Sequence, residues 1–266
     1  YQRVAAGTPM SALFLADGRR SRLLGVNRQI VRRLGARPYA FHGCIGPLPV
    51  APGVKRKLQE ALDALTAHFG LRGLNGLDFL LDDERFAVLE LNPRPPASMT
   101  LYRAALPGGL LRAHLTASLD GRLPAEKSSW PVTNAAGITA KTATSKVSGA
   151  AATSNASNAS SSTDAQAADG APPDRHGFEV LFARRACRVS AATAATLATH
   201  AWCHDLPAGD TQLGAGEPLC TVSASARTTA AVRAQLDHRR QEISTLLEQI
   251  DEVSSGVCGD RTFECQ

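Results

Sequence analysis

Residues 75–98 read Asn-Gly-Leu-Asp-Phe-Leu-Leu-Asp-Asp-Glu-Arg-Phe-Ala-Val-Leu-Glu-Leu-Asn-Pro-Arg-Pro-Pro-Ala-Ser, and this stretch decides the fold. Two apolar runs, Leu77–Leu81 and Phe86–Leu91, flank Asp82-Asp83-Glu84, a pattern that predicts a β-hairpin. Asp78 interrupts the first run; Glu90 and Asn92 interrupt and follow the second. Side chains alternate along a strand, so Glu90 and Asn92 share one face. Whether Asp78 joins them depends on the turn. A three-residue loop, Asp83–Arg85, pairs 78 with 90, whereas a two-residue loop, Asp83-Glu84, pairs 78 with 89 and turns Asp78 away. The near-continuous apolar run around Glu90 predicts a buried strand, and a buried carboxylate needs a metal, an ion pair or a catalytic duty. Two carboxylates and an amide oxygen make a hard donor set suited to Mg²⁺ or Mn²⁺.

Glu90-Leu-Asn-Pro-Arg-Pro-Pro-Ala-Ser98, preceded by Gly76-Leu-Asp-Phe79, resembles the metal-binding hairpin of the ATP-grasp superfamily. The flanking likeness runs from about Tyr1 to about Pro124 and is closest to the carboxylate–amine ligase branch, including tyramine–glutamate ligase-like proteins. The resemblance implies the second lobe of an ATP-grasp fold, with Asp78, Glu90 and Asn92 holding Mg²⁺ (or Mn²⁺) against ATP phosphates. It also implies that Arg94 stabilises the transferred phosphoryl group or the substrate carboxylate and that Arg28 meets a phosphate or a substrate carboxylate. A carboxylate and an amine would be joined as an amide through an acyl-phosphate. Gln2-Arg-Val-x-x-Gly7-x-Pro9-x-Ser11 resembles the strand entering that lobe, with Pro9 standing where many of these ligases carry a ribose-binding Glu.

Outward from the hairpin, Ala12–Ala16 and Ser21–Val26 join through Asp17-Gly18-Arg19-Arg20 as a second hairpin. The turn-rich strand from Pro38 to Pro47 contains His42, read as structural, and Cys44, which has no neighbouring base to make it a nucleophile. Val54, Leu58, Leu62, Leu65 and Phe69 recur at helical spacing before Gly70, and Leu110–Asp120 repeats the pattern. From Glu126 to about Arg175, Ala, Ser, Thr and Asn dominate, predicting a disordered linker. Phe178–Val189 reads as a strand, and turns and short strands follow to about 228. Cys203-His204-Asp205 is no single site on a straight strand, because neighbours point to opposite faces. Thr229–Val253 reads as an amphipathic helix that docks in cis or pairs with a second chain.

The predicted class is therefore α+β: an antiparallel sheet with packed helices over 1–125, a linker over 126–175, a small β-rich segment over 176–228 and a terminal helix over 229–254. The formal charge of +5 is spread over arginine pairs, which read as solvated faces and not as a nucleic-acid stripe. No run reaches transmembrane length and no signal peptide is visible, so no membrane partner is expected. Six cysteines without a C-x-x-C pair suit a reduced, cytoplasmic setting. Tyr1 stands inside a strand-like pattern, so the chain reads as a fragment. The ATP-grasp resemblance implies a further lobe carrying lysines and a Gly-rich loop. Expected partners are small carboxylate and amine substrates, with a homodimer possible through the last helix; the alternative function is a non-catalytic nucleotide-binding or assembly module.

Overall fold

The computed structural model describes residues 4–103, 106, 108–124 and 175–256, with side chains described through 247. Nearly all of the predicted linker lies outside these residues, as do the side chains of Ile250 and Val253 in the last helical stripe. The first hairpin forms as predicted but is longer, β1 (Thr8–Asp17) and β2 (Ser21–Leu34). The Asp17 carboxylate fixes its turn by accepting the backbone N–H groups of Arg19 and Arg20 at 2.8 and 2.7 Å. β3 (Arg37–Leu48) returns beside β2.

Helix α1 (Pro52–Phe69) starts with Pro at its first position and stops at Gly70, whose left-handed φ of 63° suits a residue without Cβ. Its buried stripe is Val54, Leu58, Leu62 and Thr66, while Phe69, expected inward, is exposed. The central hairpin follows as β4 (Arg72–Asp82) and β5 (Arg85–Asn92). A short 3₁₀ turn (Ala97–Tyr102) and helix α2 (Leu110–Leu119) come next. Beyond the linker lie β6 (Arg175–Phe182), β7 (Cys187–Val189), helix α3 (Ala191–Ala198), β8 (Cys203–His204), β9 (Thr211–Leu213), β10 (Pro218–Ala226) and helix α4 (Thr229–Gly256). The run expected as one strand over 178–189 is thus broken into β6 and β7, and α3 was not anticipated.

An eight-stranded sheet has the order β5-β4-β1-β2-β3-β6-β10-β8, and β7 and β9 form a separate pair. The β-rich C-terminal segment therefore extends the first sheet, joined through the pairing of Gly43–Gly46 with His176–Glu179. One face of the sheet carries Met10, Ala12, Phe14 and Val26 against α1, and Ile30, Ile45 and Val222 against Val232, Leu236 and Ile243 of α4. The other face carries Leu13, Leu15, Leu74 and Phe178 against Tyr102, Leu110, Ala113 and Ala117. Strand alternation keeps these sets apart. Among the described residues, no helix is long and apolar enough to cross a membrane.

Candidate active site

The central hairpin closes through Asp83-Glu84, with Asp82 paired to Arg85 and Asp83 at a positive φ of 50°. A two-residue turn should pair 78 with 89. Instead the register shifts: Phe79 pairs with Val88 and Asp78 with Glu90, leaving Leu89 as an extra residue on β5. This β-bulge restores what the even turn would lose. The parity rule drawn from the sequence is therefore corrected, because the turn alone does not set the register. Gly76 pairs with Asn92, so Asp78, Glu90 and Asn92 face the same side.

That side opens into a cleft of about 720 Å³ lined by Asp78, Glu90, Asn92, Arg94, Gln29, Ser11 and Cys44, among others. Ser11 pairs with Asp78 across β1 and β4, and with Asn27 across β1 and β2. Burial pushes the Asp78 carboxyl above its usual range; the Glu90 charge adds to this, while a hydrogen bond from the Gln29 side chain and the Arg94 charge oppose it. The two facing carboxylates are thus only partly neutralised by the protein, which favours a cation between them. Two carboxylate groups and the Asn92 amide oxygen supply oxygen donors of the kind Mg²⁺ takes. Among the described residues, no group of three or more His, Cys, Asp or Glu side chains is arranged for a metal, so a divalent ion here would need Asn92 and the oxygens of a bound ligand to complete its shell. Cys44, buried behind Asp78, has its thiol pushed far up by burial and by the Asp78 charge, which removes it as a nucleophile.

Arg94 follows the strand directly, its N–H donating to the Asn92 carbonyl at 2.8 Å. The segment beyond it is pinned to the sheet by Tyr102, whose buried hydroxyl donates to Asn27 Oδ1 at 2.6 Å. Asn27 Nδ2 in turn donates to Ser11 Oγ at 3.3 Å. A Cβ at Gly46 would stand 2.0 Å from Asn27 Oδ1, and one at Gly25 would stand 2.5 Å from the Tyr102 ring. Two glycines therefore make room for the pair that holds the cleft wall.

Two expectations change. Glu90 is exposed, because β5 is the outermost strand; its apolar neighbours Val88 and Leu89 are 45% and 42% exposed. The reason for a cation is the facing carboxylate, not burial of Glu90. Arg28 is exposed and pairs with Met10, whose side chain packs toward α1, so the fold does not bring it to the cleft. Gln29, its neighbour, is the residue that reaches Asp78. Pro9 lines the cleft. His204 and Cys203 separate as alternation requires, Cys203 buried and His204 exposed against Ser223 Oγ at 2.8 Å.

Residues 1–98 match the family model of an ATP-grasp domain. The ATP-grasp match ends at Ser98, just past the hairpin and the loop bearing Arg94. No curated protein matches the chain. Among solved structures, N5-carboxyaminoimidazole ribonucleotide synthetase from Thermus thermophilus is similar at 15% identity and a TM-score of 0.51, over 88% of this chain and 50% of that one. Phosphoribosylamine–glycine ligase from Thermotoga maritima is similar at 16% identity and a TM-score of 0.51, over 89% and 53%. L-amino acid ligase from Bacillus licheniformis is similar at 10% identity and a TM-score of 0.54, over 87% and 50%. At these identities the likeness is one of fold. It extends past Ser98 to the C-terminal strands, so the eight-stranded sheet with its helices shares its fold with these structures. The chain spans about half the length of these structures.

Proposed function

We propose that the chain is the metal- and nucleotide-binding part of an ATP-dependent carboxylate–amine ligase of the tyramine–glutamate ligase-like branch. The observation that carries this is the pairing of Asp78 with Glu90 beside Asn92 and Arg94 in one cleft. Asp78, Glu90 and Asn92 would hold Mg²⁺ (or Mn²⁺), which when bound neutralises ATP phosphate charge. A substrate carboxylate oxygen attacks the γ-phosphorus and ADP leaves. The amine then attacks the acyl carbon, phosphate departs with the C–O bond, and the amine loses a proton. Arg94 holds the transferred phosphoryl group by its planar fork. Gln29 fixes the Asp78 carboxylate, and the Tyr102–Asn27 pair holds the loop that bears Arg94. Positioning and charge neutralisation supply the rate enhancement, so no protein nucleophile is required. The expected setting is cytoplasmic, with small-molecule substrates, and α4 docks in cis, its stripe of Val232, Leu236 and Ile243 packed on the sheet.

The test is ADP release by the complete protein with Mg²⁺ across panels of acids and amines. Glu90→Gln and Asn92→Asp should each lower turnover by at least about tenfold, of the order that loss of one charge-assisted contact implies. Unchanged turnover in both would remove the metal assignment. One observation favours a second reading, a nucleotide-binding module without turnover: Arg94 is the one cation among the described residues lining the cleft. Binding of Mg-ATP without ADP formation by the complete protein would support that reading.

A further inference from the structure

A second cavity, of about 800 Å³, lies on the opposite face of the same sheet, between β6, β7 and α4. Its separateness follows from strand alternation. In β2, Gln29 and Val31 line the ATP-grasp cleft, while Arg32 lines the second cavity, joined by Arg33 at the register shift between Arg32 and Leu34. In β3, Phe41 and Cys44 face the cleft. His42 is an extra residue there, since Val31 pairs with Phe41 and Ile30 with Gly43, and it lines the second cavity.

Six arginines and one carboxylate line this cavity. The carboxylate, Glu179, is 1% exposed and already taken by Arg32 at 3.0 Å and Arg240 at 3.5 Å. Arg188 is taken by Asp210 at 2.9 Å. Arg33 uses Nε on the Gly35 carbonyl at 2.9 Å, which leaves its terminal nitrogens available. Arg184 has no hydrogen-bond or ion-pair partner among the described residues. His42 supplies the second observation. It is 8% exposed, its ring bonds the Val180 backbone and stacks edge-on to Phe182 at 4.8 Å, and its buried Nε2 has no partner among the described residues. A buried polar atom left unpaired is destabilising and marks a place for a missing partner. The remaining walls are apolar, with Leu34, Leu181, Ile243 and Leu247.

We propose that this cavity binds a small organic phosphate, its anionic head among Arg33, Arg184 and His42 and its apolar body over Leu181 and Ile243. The volume falls in the range of small-molecule sites. A phosphate group has enough acceptor oxygens for two guanidinium forks and for His42, whose ring already donates to the Val180 carbonyl and takes up a proton on binding so that Nε2 donates as well. Because the cavity shares β2 and β3 with the ATP-grasp cleft but no lining residue, its occupant is separate from the nucleotide.

The experiment is calorimetric titration of the full chain with phenyl phosphate, and with inorganic phosphate as the headgroup alone, followed by NMR of the His42 ring. Phenyl phosphate should bind more tightly than inorganic phosphate and shift the His42 resonances. Arg184→Ala and Arg33→Ala should each weaken binding about tenfold, the size of one lost charge-assisted contact, and Glu90→Gln should leave it unchanged. Circular dichroism and the melting temperature confirm that the variants fold. The proposal is overturned if phenyl phosphate does not bind, if both arginine variants bind as the parent does, or if Glu90→Gln abolishes binding. Displacement of the probe by a far tighter single-stranded RNA would also overturn it, because the arginines would then belong to a nucleic-acid surface.

Discussion

Asp78 is the residue on which the cleft turns. Its folded-state carboxyl binds its proton more tightly than the unfolded chain does, because burial and the Glu90 charge outweigh Gln29 and Arg94. Stability of the metal-free protein therefore falls as pH rises from the ordinary carboxylate value through the raised one, and the deficit persists above it. Held by the carboxylate pair as proposed, Mg²⁺ would compete with that proton, so its affinity should increase over the same interval. Asp78→Asn should raise the metal-free melting temperature at neutral pH and remove the Mg²⁺-induced rise. Thermal melts with and without Mg²⁺ between pH 4 and 8 check both signs, and a lower metal-free melting temperature in the variant would contradict the charge argument. Individual residues were unevenly legible. Asp78, Glu90 and Asn92 stood out because polar groups interrupt apolar runs, and Arg94 through the resemblance carried by the segment from Glu90 to Ser98. Gln29 did not, since an amide beside an arginine carries no parity until the partner strand is known; Arg28, to which the resemblance pointed, sits one position away on the other face.

At the scale of elements, the regular pieces were readable because their signals are local. The stripe Val54, Leu58 and Leu62 with Gly70 as terminator gave α1, and Asp17-Gly18 gave the β1–β2 turn. The pairing across the central hairpin was not, because the bulge at Leu89 changes which β5 residue opposes Asp78 after the Asp83-Glu84 turn, and no local pattern announces it. Helix α3 was missed because Ala191–Ala198 is a run of Ala and Thr with one Leu; its clearest signal is Ser190, whose hydroxyl accepts the Thr193 N–H at the N-terminus. The seam between β3 and β6 depends on Gly43. There φ is 153°, and a Cβ would stand 2.0 Å from the Phe178 carbonyl oxygen. Neither backbone can yield without breaking the pairing. Gly43→Ala should cost about 3 kcal/mol, at the upper end for overpacking. Urea unfolding measures it, and an unchanged midpoint would mean that the seam is looser than the geometry states.

Across the whole molecule, Arg32 of β2, Glu179 of β6 and Arg240 and Asp237 of α4 form one charge cluster spanning the two halves of the sheet. Glu179 is buried while the two arginine side chains remain about 30% exposed, so water screens part of the pairing. Removing the central carboxylate leaves two guanidinium groups facing each other. Glu179→Ala should cost about 2–3 kcal/mol, below the range for a wholly buried pair. The urea midpoint should fall with little change in slope if both halves still unfold together. A steeply reduced slope would mean that the halves unfold separately once the cluster is gone. The composition shift after Pro124 suggested a separate C-terminal unit; long-range pairing across about 130 residues, which no local pattern encodes, instead made one sheet.

Strand β2 serves both cavities at once, giving Gln29 and Val31 to one and Arg32 to the other. A single residue inserted or removed in its middle would exchange the contents of the two faces, aiming guanidinium groups at the carboxylate pair and an amide at Glu179. Length along this strand is thus as constrained as any side chain on it. Point substitutions can tune either cavity alone, but an insertion or deletion there disables both in one step.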